Sequence, residues 1–161
     1  MRRLKDRPGH LARRFQQIAV AVFHAEVGAA GSDLTPVQYA ALAEISNEPG
    51  LDQATLAGRI AFDRATTTGV IDRLEKKGLL LREVNGADRR ARVLRITEEG
   101  RSLLSRIEPA VEAAQRIMLG GLDEAEAAEF VRLLRKAVAG SNDLSRAPRR
   151  GVSGELEASE G

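Results

Sequence analysis

The sequence contains no cysteine, which excludes disulfide bonds, thiolate metal sites and redox sensing by cysteine. Aromatic residues make up only 3% of its 161 residues, so the core must consist of leucine, isoleucine, valine and alanine, which favours helices. No apolar run approaches the roughly 20 residues that a membrane span requires, and no apolar stretch follows the basic amino terminus as in a signal peptide. These absences predict one compact, mainly helical domain in the cytoplasm.

Catalytic and cofactor motifs are also absent. The two histidines, His10 and His24, lie in one predicted helix without an acidic residue at metal-ligand spacing. The sequence has neither a phosphate-binding loop nor a dinucleotide fingerprint. We therefore predict no enzyme, no metal ion and no cofactor.

Charge is distributed unevenly along the chain. The formal net charge is only +2, but residues 59–95 contain ten basic and five acidic side chains, and residues 98–129 contain three basic and eight acidic ones. The basic segment predicts a surface that binds a polyanion, although solvated helix faces are an alternative. Of the 25 basic residues, 21 are arginine, which suits phosphate and guanine recognition better than lysine does.

Helix-capping residues and chain breakers divide the sequence into helices and one hairpin. Apolar residues recur at helical spacing after Gly9, which predicts a first helix. Five further helices are predicted to follow the N-cap residues Thr35, Asp52, Asp63, Thr97 and Asp123. Two strands are predicted at 79–84 and 92–96, with Asn85–Gly86 as a turn signal between them.

The predicted order of elements is that of a winged helix–turn–helix in a mainly α fold, because two short helices precede a hairpin with a basic tip. We place this DNA-binding domain at residues 35–97. Residues 9–34 and 98–139 are predicted to be dimerisation helices. Residues 1–8 are predicted to form a flexible basic arm, and residues 140–161 a disordered tail.

The second short helix is predicted to enter the DNA major groove with its polar face. That face is predicted to carry Arg64, Thr66, Thr67, Thr68 and Arg73. Arginine pairs bidentately with guanine, and threonine bonds a base edge or contacts a thymine methyl group. The hairpin tip carries Arg89 and Arg90, which suit the negative potential of a narrow minor groove.

The sequence resembles the MarR family of bacterial transcriptional regulators. The stretches that carry the resemblance are Leu51–Ala57, Val70–Leu79, Asp88–Arg90 and Leu94–Thr97. Asp88–Arg90 has the spacing of the family's Asp-x-Arg wing motif. In element order the resemblance covers roughly residues 10–139, and it implies a repressor of transcription.

The resemblance also implies roles for single residues. Arg90 would enter the minor groove and Asp88 would orient the wing, although Asp88 has the alternative of an ordinary turn residue. Phosphate contacts are implied for Gln53, Thr55 and Arg73, and base or backbone contacts for Arg64, Thr66, Thr67 and Thr68. Gly69 departs from the family, whose members often have a longer polar residue there. This departure implies either one base contact fewer or a closer approach to the DNA backbone.

The terminal helices are predicted to pair across a two-fold axis, because they carry more apolar surface than a small winged domain needs. A homodimer would set two recognition helices about 34 Å apart on a pseudo-palindromic site. The alternative is that these helices close the core of a monomer.

A ligand site is predicted beside the first helix. Its candidate residues are His10, Arg13, Arg14, Gln17 and His24 on that helix and Tyr39 on the next. Arginine can hold a carboxylate bidentately, and histidine or tyrosine can bond a ring substituent. The stretches 9–17, 38–40 and 63–66 resemble a branch of the family tied to the catabolism of aromatic and heteroaromatic acids. A solvated helix face or dimer contacts are the alternatives.

We therefore predict a ligand-responsive repressor that binds double-stranded DNA as a homodimer on the nucleoid and is released by a small aromatic carboxylate or phenol. The alternative is a winged-helix adaptor that binds a protein and not DNA. A steep dependence of binding on salt would distinguish DNA binding from an apolar protein interface.

Overall fold

The computed structural model describes residues 3–86 and 92–144. Its helices are α1 (Pro8–Ala29), α2 (Pro36–Asn47), α3 (Gln53–Arg59), α4 (Arg64–Lys76), α5 (Glu98–Met118) and α6 (Glu124–Gly140). Strands β1 (Leu80–Val84) and β2 (Arg92–Ile96) lie between α4 and α5. The predicted fold class and order of elements are confirmed.

The ends of the described chain contain more regular structure than the sequence predicted. A 3₁₀ turn at Leu4–Asp6 lies within the predicted arm, and α1 already begins at Pro8. At the other end, α6 continues to Gly140 and a second 3₁₀ turn follows at Asn142–Leu144. The rest of the predicted tail, residues 145–161, lies outside the described residues.

Local capping explains where the helices begin. At α2, the Thr35 hydroxyl accepts a hydrogen bond from the Gln38 N–H (3.3 Å), and the Gln38 side chain accepts one from the Thr35 N–H (3.1 Å). Asp123 and Glu126 form the same reciprocal pair at α6. Each pair satisfies two backbone donors that a helix start leaves without partners.

The core lies where α2, α3 and α4 meet α1, α5 and the base of the hairpin. Its fully buried aliphatic side chains include Leu42, Ile45, Leu56, Ile71, Leu74, Leu94 and Ile107. Phe23 and Val27 bring α1 into this core from the side of α5. Because α1 packs along α5, the first and fifth helices form one support for the winged domain.

The hairpin is a two-stranded antiparallel ribbon, in register from Leu80 opposite Ile96 to Val84 opposite Arg92. The chain before α3 pairs with its second strand. The Leu94 N–H donates to the Leu51 carbonyl (2.8 Å), and the Gly50 N–H donates to the Leu94 carbonyl (3.1 Å). The start of the helix–turn–helix is thereby joined to the wing.

The sixth helix has no buried residue. It contacts α1 through Phe130 and Phe15, whose ring centroids lie 5.2 Å apart. The large apolar side chains that stay exposed on α1, α5 and α6 include Leu11, Ile18, Ile117, Val131, Leu133, Leu134 and Val138. The chain alone therefore leaves an apolar surface on its terminal helices open to water.

No helix in the described ranges combines the length and the hydropathy needed to cross a membrane. Among the same residues, no group of three histidine or acidic side chains is arranged to hold a metal ion.

Candidate nucleic-acid interface

Two capped helices joined by a tight turn form the helix–turn–helix. The Asp52 carboxylate accepts hydrogen bonds from the Thr55 N–H (2.8 Å) and hydroxyl (2.9 Å), which confirms Asp52 as the N-cap of α3. Asp63 caps α4 in the same way through Thr66, with both distances 2.9 Å. Between the helices, Ala61 has a φ of 58°, in the left-handed region that favours glycine.

Both capping aspartates are held in their charged form. The Thr55 N–H is the main cause that lowers the pKa of Asp52, and the Thr66 N–H does the same for the pKa of Asp63. Hydrogen bonds to a carboxylate favour its ionised state. The caps of α3 and α4 are therefore anionic at neutral pH, which suits the positive end of a helix dipole.

The recognition helix α4 buries one face and exposes the other. Its buried residues are Thr67, Val70, Ile71 and Leu74, at the spacing of one helix face. The prediction that Thr67 faces DNA is wrong, because its side chain is fully buried and its hydroxyl donates to the Asp63 carbonyl (2.9 Å). By helical spacing, the centre of the outward face carries Ala65, Gly69, Asp72 and Lys76.

The other predicted contact residues of the helix–turn–helix lie at the edges of that outward face or beside it. Arg64, Thr66 and Arg73 are exposed, as is Thr55 on α3. Gln53 donates from its side-chain amide to the Thr68 hydroxyl, which itself donates to the Arg64 carbonyl (2.8 Å). This contact between α3 and α4 brings Gln53 and Thr68 into one polar patch.

The predicted wing residues Asp88, Arg89 and Arg90 lie outside the described residues. The strands that lead to them are described. Arg95 on β2 pairs with Glu83 on β1 at 2.5 Å across the ribbon. Arg82 on β1 instead reaches α4, where its guanidinium donates to Asp72 and to Glu75.

The base of the wing is tied to the start of α5 by one threonine. The Thr97 hydroxyl accepts from the Gly100 N–H (3.0 Å) and donates to the Gly78 carbonyl (2.7 Å) just after α4. The Thr97 N–H donates to the Leu79 carbonyl (3.1 Å). The predicted N-cap of α5 is confirmed, and the same residue fastens α5 to the end of the recognition helix.

A second connection links the recognition helix to the segment between α1 and α2. The Lys77 ammonium lies 2.6 Å from the Asp33 carboxylate. This contact lowers the pKa of Asp33. The segment after α1 and the start of α5 are thus both joined to the chain at the carboxyl end of α4.

The candidate effector residues are only partly brought together. Arg13, Arg14, Gln17 and His24 are exposed on α1, and His10 is half-buried. The Phe23 ring lies between His24 and Tyr39, at centroid distances of 6.1 Å and 5.8 Å. The Tyr39 hydroxyl donates to Glu108 on α5 (3.2 Å). Burial, with the charges of Glu108 and Glu112, raises the pKa of Tyr39 to about 12.

An apolar cavity of about 230 Å³ lies between α1 and α5. Val20, Phe23 and Met118 line it, together with the side-chain amides of Gln16 and Gln115. None of the six candidate effector residues lines this cavity. It opens on a different face of α1 from the one that carries Arg14 and Gln17.

Comparison with known proteins agrees with this architecture. The sequence profile of the MarR family matches residues 34–91. The transcriptional regulator HosA of Escherichia coli O157:H7 is 32% identical over 133 residues, which make up 83% of this chain and 96% of HosA. The chain belongs to the MarR family. The predicted family membership is therefore confirmed.

Solved structures of MarR-type regulators have the same fold. Bordetella bronchiseptica BpsR, whose DNA binding is regulated by 6-hydroxynicotinic acid, matches with a TM-score of 0.79 and 33% identity, over 85% of this chain and 96% of BpsR. The transcriptional repressor CouR, bound to a 23-mer DNA duplex, matches with a TM-score of 0.74 and 26% identity, over 84% of this chain and 94% of CouR.

Three features of the winged domain were not predicted from the sequence. Arg82 was not singled out, because its partners lie seven and ten residues away on another element. Lys76 and Asp72 were missed on the outward face of α4. Their spacing from Gly69 was a usable signal, since positions three and four residues apart share a helix face.

Proposed function

We propose that this protein is a ligand-responsive transcriptional repressor that binds a pseudo-palindromic operator as a homodimer. Its family membership and its similarity to the DNA-bound repressor CouR support this function. We assign it no catalytic step, since the relatives it resembles are transcriptional regulators. Its place of action would be the cytoplasm, on the nucleoid.

The observation that carries the proposal is the exposed polar surface of α4. Arg64, Thr66 and Arg73 point away from the core at either edge of this surface. Between them, a Cβ at Gly69 would meet nothing within 4 Å inside the chain. Packing therefore does not require this glycine, which favours the interpretation that it lets the helix approach DNA closely. The wing arginine Arg90 would add the minor-groove contact.

The homodimer follows from the apolar surface on the terminal helices. The α6 helix has no buried residue, and its large apolar side chains stay exposed in a single copy. A second copy could cover Leu133, Leu134 and Val138 with its own α6. The two winged domains of the dimer would then bind adjacent half-sites.

The effector would be a small aromatic or heteroaromatic acid. Arg13 and Arg14 are exposed on α1 and supply cations for a carboxylate. The exposed His24 ring, further along the same helix, can bond a ring substituent. Tyr39 faces Glu108, so its hydroxyl could serve an effector only after leaving that carboxylate. Release of DNA requires that the effector favour a dimer geometry with another spacing of the recognition helices.

The first experiment measures operator binding by fluorescence anisotropy, with a duplex that the protein itself selects from a random pool. We expect tight binding that weakens steeply as salt rises. Arg90→Ala should weaken it by about 1–3 kcal/mol, the size of one good groove contact. Arg132→Ala on α6 removes the same charge from an exposed arginine whose partner, Glu129, lies on its own helix, and should leave affinity almost unchanged.

The complex is then titrated with 6-hydroxynicotinic acid and with hydroxybenzoates. Release of DNA at effector concentrations that saturate the protein would support the proposed response. Weak binding that depends neither on DNA sequence nor on Arg90 would contradict the proposed repressor function. Binding of the acids without any change in DNA affinity would contradict the proposed effector class alone.

A further inference from the structure

The two strands of the wing are fastened to the DNA-reading helices from opposite sides. On one side, β2 shares backbone hydrogen bonds with Gly50 and Leu51 ahead of α3. On the other side, β1 reaches α4 through the side chain of Arg82. Because an isolated two-stranded hairpin is only marginally stable in water, these contacts determine the direction in which the wing extends.

The Arg82 contact has the geometry of a clamp. Asp72 and Glu75 stand one turn apart on α4, and the two terminal nitrogens of the guanidinium bond one carboxylate each. The Arg82 backbone N–H also faces the Glu75 carboxylate at 3.4 Å. Only arginine has a planar fork of donors that can serve two carboxylates at once.

Partial burial of its arginine distinguishes this clamp from the ion pair between Arg95 and Glu83. The Arg82 side chain is 25% exposed, whereas the Arg95 side chain, which pairs with Glu83, is 50% exposed. Charged pairs shielded from water interact more strongly than pairs at the open surface. Moreover, the Arg95 pair joins the two strands to each other, so it does not fix the wing relative to α4.

The clamp also changes the charge of the DNA-facing surface. Asp72 lies on the outward face of α4, beside Gly69 and Lys76, and its side chain is 57% exposed. Two unneutralised carboxylates on this helix would repel DNA phosphates. Arg82 places a positive charge directly against both of them.

We infer that Arg82 is a positioning residue for DNA recognition, which sets the wing at a fixed angle to the recognition helix so that both elements reach one duplex. This inference rests on the proposed DNA-binding function. Arg82 need not touch DNA for this role. Its loss should affect the contact made by the wing more than the contact made by α4.

The test compares Arg82→Met with Arg95→Met, which removes the same charge from the same hairpin without breaking a link to α4. Hydroxyl-radical cleavage reports minor-groove protection, and methylation of guanine N7 reports major-groove protection, both at saturating protein. Arg82→Met should bind the selected operator about tenfold more weakly, the scale of one lost groove contact. It should lose minor-groove protection but keep guanine protection, and Arg95→Met should keep both.

A second variant separates position from charge. Asp72→Ala/Glu75→Ala removes two negative charges from the DNA-facing helix, so electrostatics alone predicts tighter binding. If the clamp positions the wing, this variant should still lose minor-groove protection. Alanine is also favourable in a helix, so the variant keeps the inference testable if Arg82→Met does not fold. Arg82→Lys should restore protection only in part.

Full minor-groove protection in a folded Arg82→Met or Asp72→Ala/Glu75→Ala protein would overturn the inference and leave the repressor function intact. If the wild-type protein selects no duplex at all, the proposed function is refuted and the inference with it. The two failures are therefore distinguishable by the wild-type protein alone.

Discussion

Tyr39 is the single tyrosine of the chain, and there is no tryptophan, so its ionisation can be followed by absorbance without interference. Burial and the neighbouring Glu108 and Glu112 raise its pKa to about 12, from an ordinary value of 10.0. We expect the folded protein to titrate near 12 and the urea-unfolded protein near 10. Glu108→Gln should lower the folded value only in part, because burial is the larger cause.

The sign of the stability effect follows from this shift. The folded state holds the Tyr39 proton more tightly than the unfolded state. The contribution of this difference to the free energy of unfolding is therefore fully present below pH 10 and is lost as pH rises towards 12. Titration of the folded protein near 10 would show that Tyr39 is in open contact with water, which contradicts the Glu108 contact.

At the scale of elements, α5 meets the hairpin at a glycine. A Cβ on Gly100 would lie inside contact distance of the Leu79 carbonyl oxygen and 2.7 Å from Cγ1 of Ile96. Gly100→Ala should therefore lower the free energy of unfolding by about 1–3 kcal/mol, measured by urea denaturation, because overpacking outweighs the gain in helix propensity.

Gly69→Ala is the matched control for this prediction. Gly69 also lies in a helix, but a Cβ there meets no atom within 4 Å. The substitution should raise the free energy of unfolding by about 0.4–1 kcal/mol, through reduced freedom of the unfolded chain. If both variants are stabilised equally, α5 does not pack against the hairpin as closely as the structure shows.

At the scale of the whole molecule, dimerisation depends on the apolar face of α6. Leu134→Glu combined with Val138→Glu places two charges on this face and should shift the protein to a monomer in sedimentation analysis. The affinity for the operator should fall as the dimer is lost, because two linked winged domains bind a pair of half-sites far more tightly than one domain does.

Lys136→Gln serves as the control, since helical spacing puts Lys136 on the opposite side of α6. It should remain a dimer. A monomeric wild-type protein that binds its operator tightly would contradict the assignment of this face to a second copy.

The order of elements could be predicted from the sequence because its signals are local. Asp52, Asp63 and Thr97 each cap a helix by bonding a backbone group three residues ahead. Thr67 was misplaced although its signal was present. It precedes Val70, Ile71 and Leu74 by three, four and seven residues, the spacing of a buried face.

Contacts between distant elements were beyond such reasoning. The role of Arg82 depends on how β1 crosses α4, and the need for glycine at position 100 depends on where the Leu79 carbonyl lies. One sequence without relatives carries no signal for either distance. Most candidate effector residues on the first helix were grouped by helical spacing, and Tyr39 was added for its chemistry. The approach of Tyr39 to Phe23 could not be read from either signal.

The hydrogen bonds of Thr97 make the start of α5 a pivot. The helix that extends from it has 21 residues, a rod of about 31 Å at 1.5 Å per residue. A rotation of about 5° at this pivot would displace the far end of such a rod by about 3 Å. In the same way, a shift at the Met118 end of α5 would tilt this helix where Thr97 bonds the Gly78 carbonyl, just after α4. A tilt of α5 and the position of the end of α4 are therefore linked through the Thr97 side chain.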